Sequence, residues 1–128
     1  MRYYFSKIVS YDFDTAIAKT TEALKTEGFG VLTEIDVKAT LKKKLDVDFR
    51  KYRILGACNP QYAYKAFMTE DKISTMLPCN FIVQELEDGR VEVACIDPIA
   101  SMRSIENQEL SDVAIVIGAK LQHVLDQL

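Results

Sequence analysis

Two Cys-Asn dipeptides, Cys58-Asn59 and Cys79-Asn80, stand where apolar runs of the chain change character, and they are the residues best placed to do chemistry. Tyr52 to Cys58 reads as a buried strand and Asn59-Pro60 as the opening of a helix. An asparagine can accept a hydrogen bond from an orphan amide, and proline fits the first helical position. Cys58 is thereby predicted at a strand-to-helix junction, where the positive end of the helix dipole favours a thiolate. The free backbone amides at the same place suit an anion. The competing reading makes Cys58 a small buried strand residue, since free cysteine is among the most buried residue types. Cys79 opens its own apolar run after Pro78, and it meets Cys58 only if the two strands are neighbours. Cys95 falls in mid-strand and reads as core.

Other chemistries find less footing. The three cysteines are spread far wider than the two-to-four-residue spacing of a zinc knuckle, and their odd number predicts free thiols. Glu34 and Asp36 share a strand face but do not fill an octahedral cation shell, so no metal site is predicted. Ser101, Ser104 and Ser111 lack a Gly-x-Ser-x-Gly setting, and the lone His123 lies in a different helical pattern, which disfavours a serine hydrolase. Gly28-Phe29-Gly30 has no third glycine and precedes a strand, so it is no nucleotide fingerprint. The residues name no cofactor and decide neither for nor against catalysis.

The elements that must position these residues follow from periodicity. Arg2 to Val9 reads as a strand. Asp12 caps a helix carrying Phe13, Ala16, Ile17, Thr20, Ala23 and Leu24 on one stripe, and Gly28 ends it. Gly30 to Val37 returns to period two, with Val31, Thr33, Ile35 and Val37 facing one way and Leu32, Glu34 and Asp36 the other. Val37 to Leu45 is a short helix whose Lys42-Lys43-Lys44 reads as a solvated face. After the strand ending at Cys58, a helix runs from Pro60 to about Lys72 with Ala63, Ala66 and Phe67 buried. The clearest helix is the last. Leu110, Val113, Ala114, Ile117, Leu121, Val124, Leu125 and Leu128 keep helical spacing behind an Asn107 cap, and His123 falls on the exposed side.

Between these helices, Cys79 to Leu86 and Val91 to Asp97 flank an Asp-Gly pair and predict a hairpin. With Asp88 and Gly89 as a two-residue turn, Ile82 faces Cys95 and Asn80 faces Asp97. An amide and a carboxylate then meet at the open end of the ladder, where they either shape a polar pocket with Asn59 or each simply cap a turn or helix. Both hairpin faces are apolar. One layer of helices covers only one of them, so a second copy of the chain is expected on the other, giving a homodimer.

At 128 residues the chain is one domain, long enough to bury a core without disulfides or metal. A hydrophobic content of 48% and a charged content of 27% are ordinary for a globular protein. The net charge of -3 supplies no field for nucleic acid or an anionic membrane. No apolar run approaches the roughly 20 residues of a membrane span, and the Met1 end carries no signal-peptide pattern. The cytoplasm is the expected location.

Four stretches carry a resemblance. Glu27 to Leu41, Tyr52 to Pro60, Leu77-Pro78-Cys79-Asn80 and Ile96-Asp97-Pro98 closely resemble the domain-of-unknown-function 302 family, and the resemblance spans nearly the whole chain. It implies an α+β domain with an antiparallel sheet packed on helices, and no established activity. The family pattern usually carries a histidine shortly after Cys-Asn-Pro, where this chain has Tyr64. Any function resting on that histidine would be missing here.

The expectation from these readings is a single α+β domain over residues 1–128, with an antiparallel sheet of about five strands and helices on one face. Its expected function is that of a dimeric small-ligand binding module, an anion being one candidate ligand. The site would lie at the two Cys-Asn junctions, with Cys58, Asn59, Cys79, Asn80 and Asp97 as candidate ligand-binding residues. Two alternatives stay open: a thiol-redox or soft-metal protein using Cys58 and Cys79, and a structural or interaction domain without a ligand.

Overall fold

The computed structural model of the protein describes residues 2–128. Five strands, β1 (Tyr4–Val9), β2 (Gly30–Asp36), β3 (Tyr52–Cys58), β4 (Cys79–Glu85) and β5 (Val91–Ile96), form one antiparallel sheet in the order β1-β5-β4-β3-β2. The chain starts at one edge and crosses by helix α1 (Phe13–Thr26) to the other. It then returns strand by strand until β5 closes against β1. Helices α2 (Val37–Leu45), α3 (Pro60–Thr69), α4 (Pro98–Ser101) and α5 (Gln108–Asp126) fill the later connections and the C-terminal end. This is the expected single-domain α+β architecture.

The core lies between the sheet and helices α1 and α5. Leu55, Phe81, Val83 and Val93 project from the three central strands, and Leu24, Leu121, Val124 and Leu125 from the helices, all buried. The caps are those that local chemistry dictates: Asp12 accepts from the Thr15 amide at 2.8 Å, and Asn107 from that of Leu110 at 3.3 Å. Gly28, at φ +82°, turns the chain out of α1 as only glycine does without strain. His123 is exposed and lies 3.1 Å from Glu27.

Three local expectations are corrected. The hairpin loop has three residues, Glu87-Asp88-Gly89, closed by Leu86 and Arg90. The Leu86 amide donates to the Arg90 carbonyl at 2.7 Å, and Gly89 to the Leu86 carbonyl at 2.9 Å. Only Gly89 takes positive φ, because the Asp88 carboxylate holds the Arg90 amide and guanidinium instead of entering a primed turn. The register therefore moves by one: Phe81 faces Cys95, Ile82 faces Ala94 and Gln84 faces Glu92. Because side chains alternate along a strand, that single step separates Cys95, which shares the helix face with Phe81, from Asn80 and Ile82 on the outer face.

The second correction is a bulge at Leu32 in β2. Val31 pairs with Ala57 and Thr33 with Gly56, so Val31 does not share the outer face with Thr33 and Ile35. Glu34 and Asp36 consequently flank Arg53 of β3, which forms ion pairs with both. The third concerns α3, which stops at Thr69, short of Lys72, and leaves Phe67 45% exposed; of its three predicted core residues only Ala66 is buried.

Gly56 sits in contact with the Thr33 and Pro78 side chains. The Thr33 hydroxyl and the Pro78 ring occupy the space a Cβ would need, with Pro78 Cγ only 2.7 Å from it. The proline ring cannot swing aside as a flexible chain end would. Gly56→Ala is expected to cost about 1–3 kcal/mol of stability through overpacking. Urea unfolding checks it, and an unchanged midpoint would show that β2 and Pro78 yield freely.

Candidate functional site

Beside the Cys58-Asn59 junction, on the helix side of the sheet, lies a cavity of about 200 Å³. Ala57, Cys58 and Asn59 form one wall, and Tyr62, Ala63, Ala66 and Phe67 of α3 form a second. Leu77, Pro78 and Cys79 supply a third, and Pro98, Val113, Ala114 and Ile117 close it from α4 and α5. Phe29, Leu32, Ser74 and Met102 complete the lining. Each wall has a local cause. Pro60 opens α3 immediately after the strand, Pro78 stands directly ahead of β4, and Pro98 opens α4 against Gly118 of α5.

Of the five candidate residues, the fold brings three to this cavity, Cys58, Asn59 and Cys79. Asn80 and Asp97 do not join them. Asn80 pairs with Gly56 and borders a concavity on the outer sheet face, and the Asp97 carboxylate accepts from the Ile99 amide at 3.0 Å, capping α4. The polar pocket of Asn59, Asn80 and Asp97 is therefore not formed, because it depended on the two-residue turn. Asn59 also does other work than expected. Its side chain makes no cap bond to α3. Its Nδ2 donates to the Glu27 carbonyl at 3.3 Å and so ties the end of α1 to the junction.

Burial disfavours the thiolate at each cysteine. Burial pushes the Cys58 thiol up from its ordinary value in spite of the neighbouring helix N-terminus. Burial, with Cys58 close by, pushes that of Cys79 up to about 11. Burial and the nearness of Cys79 take Cys95 to about 12. Cys79 is registered opposite Ala57, one residue away from Cys58, and all three cysteines are free. Among the described residues, no group of three His, Cys, Asp or Glu side chains is placed to hold a metal ion. No described helix is long and apolar enough to cross a membrane.

Sequence reading missed the walls that come from elsewhere: Phe29, the Leu77-Pro78 pair and the α4–α5 contribution of Pro98, Val113 and Ile117. A usable signal was present in the prolines, since Pro60, Pro78 and Pro98 each stand at the entry to an element that borders the cavity. Tyr64, at the position where a histidine is common in the resembling family, is exposed and outside the lining.

The opposite face of the sheet has no residue in the main helix-packed core. Ile35, Ile54, Ile82 and Ala94 follow one another across four strands, with Tyr3 and Ile8 exposed nearby. Gln84 sits in this face between Arg50, which donates to it at 2.8 Å, and Glu92, to which it donates at 2.8 Å.

The family described as Domain of unknown function DUF302 matches residues 5–128. The chain is also similar to the crystal structure of an uncharacterized conserved DUF302 protein from Bacillus stearothermophilus. The TM-score is 0.93 at 28% identity, over 99% of this chain and 98% of that one. No curated protein matches.

Proposed function

Since the chain belongs to the DUF302 family, we propose for it the role of a small-molecule binding module whose site is the cavity at the Cys58-Asn59 junction. One observation carries the reading. Strand ends, helix starts and prolines from separate parts of the chain converge on one cavity of about 200 Å³ that opens to solvent beside Phe67. Concave, mostly apolar sites with a few polar groups are the usual form of a small-molecule site. A fragment library containing charged, polar and apolar members, followed by amide chemical shifts, tests it. Saturable shifts are expected at Cys58, Asn59, Ala63 and Ile117. If every hit maps elsewhere, or none is found, the reading fails.

A redox cycle between Cys58 and Cys79 has less support, because the attacking species is the thiolate and burial disfavours it at both positions. The anionic ligand also loses ground, since among the described residues no cationic side chain lines the cavity. The proposed setting is the cytoplasm, where free thiols persist. Neither nucleic acid nor membrane is proposed as a partner.

We also propose a homodimer through the outer sheet face, supported by the apolar row Ile35, Ile54, Ile82 and Ala94, which a two-fold axis can pair with itself. Sedimentation is expected to give a dimer that Ile82→Glu converts to a monomer. A wild-type chain that stays monomeric at high concentration would remove this part of the proposal and leave the cavity untouched.

A further inference from the structure

Resting on the cavity as the binding site, we infer that its ligand is an uncharged, predominantly apolar small molecule, of about one aromatic ring or a six- to eight-carbon chain. The class follows from the wall. Phe29, Leu77, Pro78, Val113 and Ile117 present hydrocarbon, and no charged side chain takes part in the lining. The polar groups that do take part are neutral: Asn59, Ser74, Tyr62 and the Cys58 and Cys79 thiols. The Asn59 amide nitrogen is already engaged by the Glu27 carbonyl. An ion entering here would give up its water with no opposite charge to replace it, which makes charged ligands poor competitors.

The size follows from the volume. A dry cavity of about 150 Å³ lined by Leu, Ile and Phe takes up benzene, and this one measures about 200 Å³. The entrance agrees with the wall. Leu32 is 67% exposed and Phe67 45% exposed while both border the cavity, so the rim is hydrocarbon too. Phe67 is the residue that helical spacing assigned to the core. Its uncovered area is what an apolar ligand would cover, and burial of such area is the driving force for entry.

The full chain is titrated with toluene, 1-hexanol, hexanoate and inorganic phosphate, following amide shifts. Toluene and 1-hexanol are expected to give saturable shifts at Cys58, Ala63 and Ile117. Hexanoate at neutral pH is expected to bind at least tenfold more weakly than 1-hexanol, and phosphate to leave these residues unmoved. Ala63→Phe, which adds a ring to a lining residue, is expected to weaken toluene binding at least tenfold, with Ala63→Leu used if phenylalanine prevents folding. Binding of hexanoate or phosphate at these residues as tightly as 1-hexanol overturns the inference but keeps the cavity as a site. Failure of all four compounds also overturns it, and the fragment screen then decides separately whether the cavity reading falls as well. Toluene affinity unchanged in a folded Ala63 variant places the compound elsewhere and likewise sinks it.

Discussion

Phe81→Ala is expected to lower the free energy of unfolding by about 3–5 kcal/mol, a large part of the roughly 5–15 kcal/mol that holds a domain of this kind together. Phe81 is fully buried in the middle of β4, with Leu55 beside it on β3 and Cys95 on β5. All three lie on the face that packs against α1 and α5, so truncation leaves a void bounded by strands on both sides. Strands locked into a central ladder cannot close in on that void as a surface loop would, which places the cost toward the upper end. Urea unfolding measures it, and the effect reaches the site because Cys79 stands two residues away on the same face. A loss below about 1 kcal/mol would mean that the core repacks around the gap, which the central position of β4 argues against.

Raising the pH above 9 is expected to destabilise the protein through Cys79 and Cys95. The folded state holds these thiols at about 11 and about 12, above the ordinary value of 9.0, because burial penalises the thiolate. A group with a raised folded pKa contributes its full stability below its unfolded pKa and loses it as the pH climbs toward the folded one. The unfolded chain releases these protons first, so deprotonation pulls the equilibrium toward unfolding. Between pH 9 and 10.5 the two thiols together should remove about 2–4 kcal/mol, on the scale of 1.36 kcal/mol per unit of pKa difference. Comparison with Cys79→Ala/Cys95→Ala isolates them from tyrosine and lysine titration. The double variant should lose stability less steeply over this interval, whatever its starting value. Parallel curves for the two proteins would show that the thiols titrate as if exposed.

The outcome at each predicted element reflects how far along the chain its cause lies. The α5 stripe, the Asp12 and Asn107 caps, the glycine stop at Gly28 and the helix opening at Pro60 involve residues within one or two turns of each other. They appear in the structure as read. The hairpin itself was legible from Asp88-Gly89, but its loop length was not. Two- and three-residue loops draw on the same dipeptide, and the choice depended on an Asp88–Arg90 contact. One residue of register then separated Asn80 from Asp97, and alternation along β4 turns Asn80 away from the cavity that Cys79 lines. The bulge at Leu32 had the same kind of effect on β2, redirecting Val31 away from Thr33 and Ile35.

Cys58 and Asn59 mark the same division. Their place at a strand-to-helix junction is written in the strand Tyr52 to Cys58, apolar apart from Arg53, followed by Asn-Pro, so it could be read locally. The state of the thiol and the partner of the amide could not. Burial pushes the Cys58 pKa up, and burial depends on what α3 and the Leu77-Pro78 segment lay over it. Asn59 finds Glu27, a residue more than thirty positions earlier, because the end of α1 is brought to β3 by the sheet.

By itself the sequence determined one α+β domain, its strands and helix starts, the Asp12 and Asn107 caps, and a strand-to-helix junction at Cys58-Asn59. These rest on side-chain periodicity and backbone preferences that act over a few residues. Only the tertiary structure decided the pairing of β4 with β5, the raised pKa of the thiols, and the apolar cavity. Those depend on register and on walls contributed by α3, α4, α5 and the approach to β4, which become neighbours only once the chain has closed its sheet.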